Sequence, residues 1–485
     1  MNVFDYSWGV PVENKTSIEN FFSTSFYNPL KFSIFRPLCY FHFPRFDINK
    51  ISVEENTKLT VLKQKNIRAD NSGSSRFLTR NEKFGTVIFD KAYFRYFLLN
   101  QSCKDILKSG LLCESDNYHR EISLIMKLAD IPLLLLAESL SLCDKENTCY
   151  HSPFKVFFEI TSNCNMDCQH CLNKNSNHKL INMPIKTIFR YFDNLKDCKV
   201  SEVNITGGEP FLHPDIIEIL NYAIKIFPSL TVSTNGTLLN DSILTFLHKI
   251  NIRYINISLD GTENSYEKIR YGSNFRKVLD NIILASQYIP DTGITITLNR
   301  YNIQEIEDII ELAKLNHIRK INFGLTRRSY YNDNNDLLIE SAEQLYTALE
   351  KIESLCTSNN ITYYLPPDLP FNRVSEQKFG NFFFNQNRCM AGIFTCKILA
   401  DETIIPCAFF HTKILSRPID DISNDIFYKI REQTIKNVFL ENKCSLFGIN
   451  CMGGCFSGHN LDNNCNKYCM KTVNNNQFEG QEMRG

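Results

Sequence analysis

The stretch "TSNCNMDCQHC", Thr161 to Cys171, sets Cys164, Cys168 and Cys171 four and then three residues apart. Three thiols on one short segment suit a disulfide knot, a zinc knuckle or the cradle of an iron–sulfur cluster. The chain holds 18 cysteines in 485 residues. Its N-terminus, "MNVFDYSWGVPVENK", has neither the basic nor the apolar region of a secretory signal. Its most apolar run, "IPLLLLAESL" (Ile131 to Leu140), is too short to span a bilayer. A cytoplasmic chain without membrane spans is expected, and reducing compartments do not sustain disulfide frameworks. Clustered cysteines then point to metal or cluster ligation. Three thiolates on one loop cap three irons of a [4Fe–4S] cube and leave the fourth iron open. A structural zinc site needs a fourth close ligand, and His170 is squeezed between Cys168 and Cys171.

The segments on either side of this loop alternate. Strands are expected at "KVFFEI" (Lys155 to Ile160), "EVNIT" (Glu202 to Thr206), "LTVST" (Leu230 to Thr234), "YINISL" (Tyr254 to Leu259), "ITITL" (Ile294 to Leu298) and "KINFGL" (Lys320 to Leu325). Amphipathic helices lie between them. One is expected to bury Ile185, Ile188, Phe189 and Phe192, another Ile306, Ile309, Ile310 and Ala313. Six such units predict an α/β fold, a parallel and open (β/α)6 barrel. In the eight-unit relative of that geometry the chemistry sits at the C-terminal ends of the strands. The cysteine loop directly follows the first of them.

CxxxCxxC in this place resembles the signature of radical S-adenosylmethionine (SAM) enzymes. The resemblance implies that Cys164, Cys168 and Cys171 hold a cluster whose open iron binds SAM, with His170 near the adenine. "TGGEP" (Thr206 to Pro210) ends the second strand and resembles the GGEP motif that binds the methionine amino group. Gly207 and Gly208 are expected to let backbone approach a ligand closely, with Glu209 and Pro210 completing the turn. "STNGT" (Ser233 to Thr237) and "SLDGT" (Ser258 to Thr262) close strands three and four. By the same resemblance Ser258 and Arg270 approach the SAM carboxylate, while Ser233, Asn235 and Asp260 support the pocket. Asn-Gly and Asp-Gly are also ordinary turn dipeptides, so turn chemistry remains an alternative for Asn235 and Asp260.

The chain divides into four regions: 1–75, unassigned and ending in the linker-like "NSGSSR"; 76–150; the barrel, 151–375; and 376–485, where periodicity weakens and cysteines crowd in. The last resembles the SPASM extension of radical-SAM enzymes. Its eight cysteines suffice for two fully ligated auxiliary [4Fe–4S] cubes. By analogy one takes Cys389, Cys396, Cys407 and Cys455, the other Cys444, Cys451, Cys465 and Cys469. The CxxC that usually opens the second group is missing, since Phe447 stands three residues after Cys444. Zinc is the alternative for these thiolates. Cys356 is expected in the core beside Leu345, Leu349 and Ile352, and the other six cysteines receive no role.

Region 76–150, with strand-like "RFLTR", "FGTVIFD" and "YFRYFLLN" and helices after them, resembles the winged-helix-like peptide-recognition element of ribosomal-peptide maturases. Asn81 and Asp90 are expected in its turns. An exposed strand edge of such a domain pairs with an extended leader peptide. Lys+Arg equals Asp+Glu at 53 each, which argues against binding nucleic acid by bulk charge.

Taken together, the resemblance implies a radical-SAM peptide maturase that cross-links a ribosomally made precursor through a thioether or carbon–carbon bond. It implies three [4Fe–4S] clusters, SAM, and an external one-electron reductant such as flavodoxin or ferredoxin. The competing readings are a sulfatase-maturing formylglycine-type enzyme, a small-molecule radical-SAM oxidoreductase, and a non-catalytic iron–sulfur electron carrier. Against the first, Ala408 stands after Cys407 where that class usually has a carboxylate.

Overall fold

The computed structural model describes residues 76–82, 85–90, 95–100, 104–105, 107–108, 133–143, 150, 152–172, 180–252, 254–327, 335–366, 391–392, 395–409, 426–427 and 429–430. Region 1–75 lies outside the described residues. The chain divides into two compact units, one holding residues up to 151 and the other most of the remaining chain.

In the first unit β1 (Phe77–Glu82), β2 (Gly85–Asp90) and β3 (Arg95–Asn100) form an antiparallel meander. Helix α1 (Leu133–Cys143) packs on β1, and Thr79 Oγ1 donates to the Ser139 carbonyl at 3.0 Å. Phe77, Val87, Ile88, Phe89, Leu136 and Leu140 form the core. Asn81 and Asp90 are strand residues, not the turn residues expected. Asp90 ends β2 opposite Phe77 and receives both Nε and Nη2 of Arg76 at 2.9 Å, a pairing that satisfies a buried carboxylate.

In the second unit the expected strands all form. They are β4 (Lys155–Thr161), β6 (Glu202–Gly207), β7 (Ser229–Thr234), β8 (Tyr254–Ser258), β10 (Asp291–Leu298) and β11 (Lys320–Leu325). Two dipeptides, β5 (Asp167–Cys168) and β9 (Arg270–Tyr271), pair with each other apart from the main sheet. The main sheet is larger than the six strands expected. Its order is β12-β11-β10-β8-β7-β6-β4-β13-β14, with β12 (Thr362–Tyr364), β13 (Thr395–Ile398) and β14 (Ile404–Ile405) added at the edges. β13 runs parallel to β4, with Cys396 opposite Val156. A segment from the cysteine-rich region thus covers the edge of the first strand and uses hydrogen bonds that an edge leaves open.

The strands alternate apolar and polar. Phe158 packs edge-on against Tyr191 and Phe192 of α2 (Ile185–Asp197), at 5.9 and 5.1 Å between ring centroids, which identifies the helix-covered face. Ile205, Val232 and Ile255 continue that row across the register. The opposite face carries Glu159, Asn204, Thr231, Ser233, Tyr254, Asn256, Thr295 and Asn322. Parallel strands covered by apolar layers on both faces read as near-continuous apolar runs. Here one face is left polar.

On that face Asn322 Nδ2 donates to the Tyr254 hydroxyl at 2.6 Å and to Asn256 Oδ1 at 3.0 Å, and Asn256 Nδ2 donates to Thr295 Oγ1. Gly293 makes room for the Tyr254 ring, since a Cβ there would lie 3.1 Å from its Cε2. Burial pushes the Tyr254 phenol up, so it stays a neutral donor.

Between the strands run α3 (Ile216–Ile226), α4 (Asp241–Lys249), α5 (Glu263–Ile269), α6 (Phe275–Tyr288), α7 (Ile306–Leu315) and α8 (Ala342–Ser358). α7 buries Ile306, Ile309, Ile310 and Ala313 as expected, and α8 buries Leu345, Leu349, Ile352 and Cys356. α2 is rotated from its expected face. Its buried stripe is Ile188, Tyr191, Phe192 and Leu195, while Ile185 and Phe189 are half-buried. Tyr191 displaces them because its ring reaches Phe158 and its hydroxyl still reaches Glu402 Oε2 at 3.1 Å.

Candidate functional site

The loops at the C-terminal ends of β4, β6, β7, β8 and β10 bring together Thr161–Cys171, Gly207–Pro210, Asn235–Thr237, Leu259–Thr262 and Thr297–Asn302. Hydrogen bonds pin the cysteine loop at three places. At its start Ser162 N donates to the Ile181 carbonyl and Thr161 Oγ1 to Asn182 Oδ1, at 2.9 and 2.6 Å. At its middle Asn165 Oδ1 accepts from Asn235 Nδ2 and Asn165 Nδ2 donates to Thr237 Oγ1, at 2.9 and 2.8 Å. At its end β5 pairs with β9, setting Cys168 opposite Arg270, and Gln169 N donates to the Ile269 carbonyl at 2.8 Å. Fixing a loop this way lets three side chains be held without regular structure of their own.

Gly207 and Gly208 are required by the chain's own packing. A Cβ on Gly207 would lie 2.4 Å from the Thr161 carbonyl oxygen, and one on Gly208 would lie 2.2 Å from that of Asn163. Gly208 N and Glu209 N donate to those same carbonyls at 2.7 Å each. The glycine pair docks β6 onto the backbone of the cysteine loop. Glu209 is fully buried, and its carboxylate accepts from Thr234 Oγ1 and Asn235 N, each at 2.7 Å, and from Phe211 N at 3.2 Å. Burial pushes the Glu209 carboxyl up, against these three donors. Pro210 opens a short 3-10 turn, Pro210–Leu212.

Ser233 Oγ donates to Asn204 Oδ1 at 3.1 Å on the polar face of the sheet, and Ser258 ends β8 on that face, opposite Thr295. Asn235 does turn work and site work together. Its Oδ1 accepts from Thr237 N and Oγ1 at 2.9 and 2.7 Å, bracing a turn in which Gly236 takes φ +80°. Its Nδ2 lies 4.0 Å from Cys164 Sγ.

Asp260 is fully buried beneath the loop. Its Oδ1 accepts from Thr297 N at 2.5 Å, and its Oδ2 faces Arg270 Nε at 2.6 Å and His170 Nε2 at 3.2 Å. Burial raises this carboxyl, but Arg270 and His170 outweigh it and hold Asp260 well below the usual carboxylate range. Arg270 Nη1 lies 3.8 Å from Cys168 Sγ. His170 turns its Nε2 to Asp260, while its Nδ1 is buried with no hydrogen-bond partner.

Burial pushes the Cys168 thiol up to about 12, opposed by Arg270 and reinforced by Cys171, Asp260 and Cys164. Burial also raises Cys164, again with Cys171 adding to it. Among the described residues no three His, Cys, Asp or Glu side chains converge as ligands of one metal ion. The three thiols lie instead within electrostatic reach of one another. Held as thiolates, the three cysteines together with the Asp260 carboxylate would outweigh Arg270 and need added positive charge, which an iron centre would supply. The buried Asn163 Oδ1 and His170 Nδ1 are two further polar atoms with no hydrogen-bond partner. The donor set fits a cluster with a polar ligand beside it.

Sequence reasoning passed over Asn165, Asn182, Thr237 and Asn302. Their signal was weak, since Asn and Thr near turns are common. Asn302 Nδ2 donates to the Asp260 carbonyl at 3.1 Å and so fixes the "SLDG" turn from β10. Of the tail cysteines, Cys396 is buried on β13 and Cys407 is half-buried two residues beyond β14. Cys389, Cys444, Cys451, Cys455, Cys465 and Cys469 lie outside the described residues.

Residues 158–313 match the Radical SAM superfamily. Over 166 residues the chain is 30% identical to the mycofactocin maturase MftC of Mycobacterium ulcerans, covering 33% of this chain and 44% of that protein. Over 333 residues it is 26% identical to the antilisterial bacteriocin subtilosin biosynthesis protein AlbA of Bacillus subtilis, covering 67% of this chain and 69% of that protein. The fold matches Streptococcus suis SuiB bound to precursor peptide SuiA, with TM-score 0.60 and 18% identity, over 82% of this chain and 98% of that one. The chain carries a radical SAM domain.

Proposed function

We propose, for a chain that carries a radical SAM domain, that it is a peptide maturase installing a thioether or carbon–carbon cross-link in a ribosomally made precursor. The observation that carries this reading is the cysteine loop, pinned at three places at the strand ends beside the Gly207–Gly208 turn and the Asp260–Arg270 pair. The relatives named for maturing or building peptides support the substrate class.

Cys164, Cys168 and Cys171 would hold a [4Fe–4S] cluster, and the Gly207–Pro210 turn, Ser233, Asn235, Ser258 and Arg270 would surround SAM. When bound, these groups would supply reductive cleavage of SAM, so that 5′-deoxyadenosine carries off one substrate hydrogen atom; bond closure would release the second hydrogen as a proton and an electron, the electron passing to an auxiliary cluster of the tail. The chain's own part is to orient and to exclude competing reactions. Asn235 ties the Cys164 end of the loop to β7. Asp260 holds His170 and Arg270 on the other side. The polar face bearing Asn204, Thr231, Ser233, Asn256 and Thr295 offers hydrogen bonds to a polar substrate segment.

The tail would add two auxiliary [4Fe–4S] clusters, from Cys389, Cys396, Cys407 and Cys455, and from Cys444, Cys451, Cys465 and Cys469. Residues 76–150 would capture the leader along an edge of the β1–β3 sheet. A reductant such as flavodoxin or ferredoxin would deliver electrons in the cytoplasm.

Anaerobic reconstitution tests the cluster count: eleven cysteine ligands correspond to about twelve irons per chain in three cubes. A reproducible value near four irons rejects the auxiliary clusters, and bound zinc rejects cluster chemistry in the tail. Replacing Cys164, Cys168 and Cys171 with Ala removes 5′-deoxyadenosine formation if this loop is the SAM site. Deleting residues 1–150 spares uncoupled SAM cleavage but sharply reduces precursor modification, read as loss of two hydrogens per cross-link by mass spectrometry. Equal modification by the truncated and intact chains would reject the leader-capture role and favour a small-molecule substrate.

A further inference from the structure

Arg270 is held between a carboxylate and a cysteine sulfur. The β5–β9 ladder sets Cys168 directly opposite Arg270, and side chains of opposed residues in an antiparallel pair share one face. Only Nε of the guanidinium is bound to Asp260, at 2.6 Å, while Nη1 lies 3.8 Å from Cys168 Sγ, within hydrogen-bonding range for a sulfur acceptor. This is not the two-pronged Arg–carboxylate pair of a purely structural salt bridge. The second carboxylate oxygen is committed elsewhere, to Thr297 N. Asp260 itself is anchored, its carbonyl accepting from Asn302 Nδ2 and its side chain fully buried. The geometry turns one edge of the guanidinium to the carboxylate and aims another N–H at the sulfur.

We propose that Arg270, held in place by Asp260, donates to the Cys168 thiolate and raises the reduction potential of the cluster bound by this loop. The inference rests on the reading of Cys164, Cys168 and Cys171 as cluster ligands. Adding an electron to a cluster increases the negative charge on its sulfurs, so an N–H donor and a buried positive charge at one sulfur stabilise the reduced state. Arg270 is thereby a positioning and tuning residue independently of any contact it makes with SAM. Asp260 acts through Arg270.

The test is an EPR-monitored redox titration of the reconstituted full-length protein without SAM. The signal of this cluster is identified as the one missing from the Cys164→Ala/Cys168→Ala/Cys171→Ala variant. Arg270→Met shifts its midpoint to more negative potential, and Arg270→Lys, which keeps the charge but loses the fork, shifts it less. An unchanged midpoint in either variant overturns the proposal. Should Arg270→Met load no cluster, the Arg270→Lys shift decides alone. Asp260→Asn gives a test by sign. If Asp260 only adds negative charge, its loss raises the potential and its positioning role is overturned. If it holds the guanidinium on Cys168, its loss lowers the potential toward that of Arg270→Met. A parent protein that loads no cluster at this loop overturns the cluster reading itself, which is a different outcome from a loaded cluster whose potential ignores Arg270.

Discussion

Gly208 and Asn163 meet backbone to backbone: a Cβ on Gly208 would fall 2.2 Å from the Asn163 carbonyl oxygen. The same peptide group of the cysteine loop accepts from Glu209 N at 2.7 Å. The glycine is demanded by the protein's own packing, before any ligand enters.

Gly208→Ala therefore pushes the cysteine loop away from β6. Overpacking of this kind costs about 1–3 kcal/mol. The expected outcome is a lower unfolding midpoint in denaturant together with reduced iron loading. Normal iron content in a stable Gly208→Ala protein would show that the loop accommodates the methyl.

Glu209 ties the Gly-Gly turn to the end of β7 by accepting from Thr234 Oγ1 and Asn235 N, and it caps its own 3-10 turn by accepting from Phe211 N. Glu209→Ala leaves the Asn235 amide and the Thr234 hydroxyl without this acceptor inside the protein, at about 1–3 kcal/mol. Glu209→Gln keeps an acceptor oxygen and is expected to recover part of that loss. Urea melts of the two variants check the order, and SAM binding by calorimetry should fall further in the alanine variant.

On the polar face, Asn322 bridges Tyr254 and Asn256. Asn322→Leu keeps the branched shape but removes the shared donor; Tyr254 Oη still donates to Asn256 Oδ1 at 3.1 Å, so the expected cost is about 1 kcal/mol in stability. Because this network lines the face assigned to substrate, precursor modification should drop more than uncoupled 5′-deoxyadenosine formation. Equal losses of the two would remove this face from the substrate path.

Lys397 Nζ on β13 lies 2.9 Å from Glu159 Oε2 on β4, and both side chains are buried. Lys397→Met takes one partner from a buried pair, a change that costs about 3–5 kcal/mol where the pair is broken outright. The double variant Glu159→Gln/Lys397→Met is expected to regain much of it. A thermal-unfolding double-mutant cycle measures the coupling, and additive losses would mean that β13 is held by its ladder alone.

Much of the fold was legible because alternation is a local property. Each strand of the main sheet carries its own period of two, as Tyr254, Ile255, Asn256, Ile257 and Ser258 do, and each helix its own stripe, as Ile306, Ile309, Ile310 and Ala313 do. Where the period was shared between two stripes, as on α2, the winner was settled by the neighbour: Phe158 selects Tyr191 over Phe189, which stacks on Tyr222 at 4.1 Å instead. β13 was missed because four residues, Thr395 to Ile398, carry too little pattern, and their partner β4 lies more than 200 residues earlier.

By itself the sequence determined the parallel α/β order, the three-cysteine loop after the first strand and the Gly-Gly turn after the second, since each follows from spacing along the chain. Only the tertiary structure decided what these pieces do to one another. It set the glycines against Thr161 and Asn163, gave the Glu209 carboxylate to β7, turned His170 to Asp260, and placed Arg270 across from Cys168. Those are contacts between residues tens to about a hundred positions apart, made through single hydrogen bonds on irregular loops. A loop carries no period, so its partners are chosen only when the sheet brings the strand ends together.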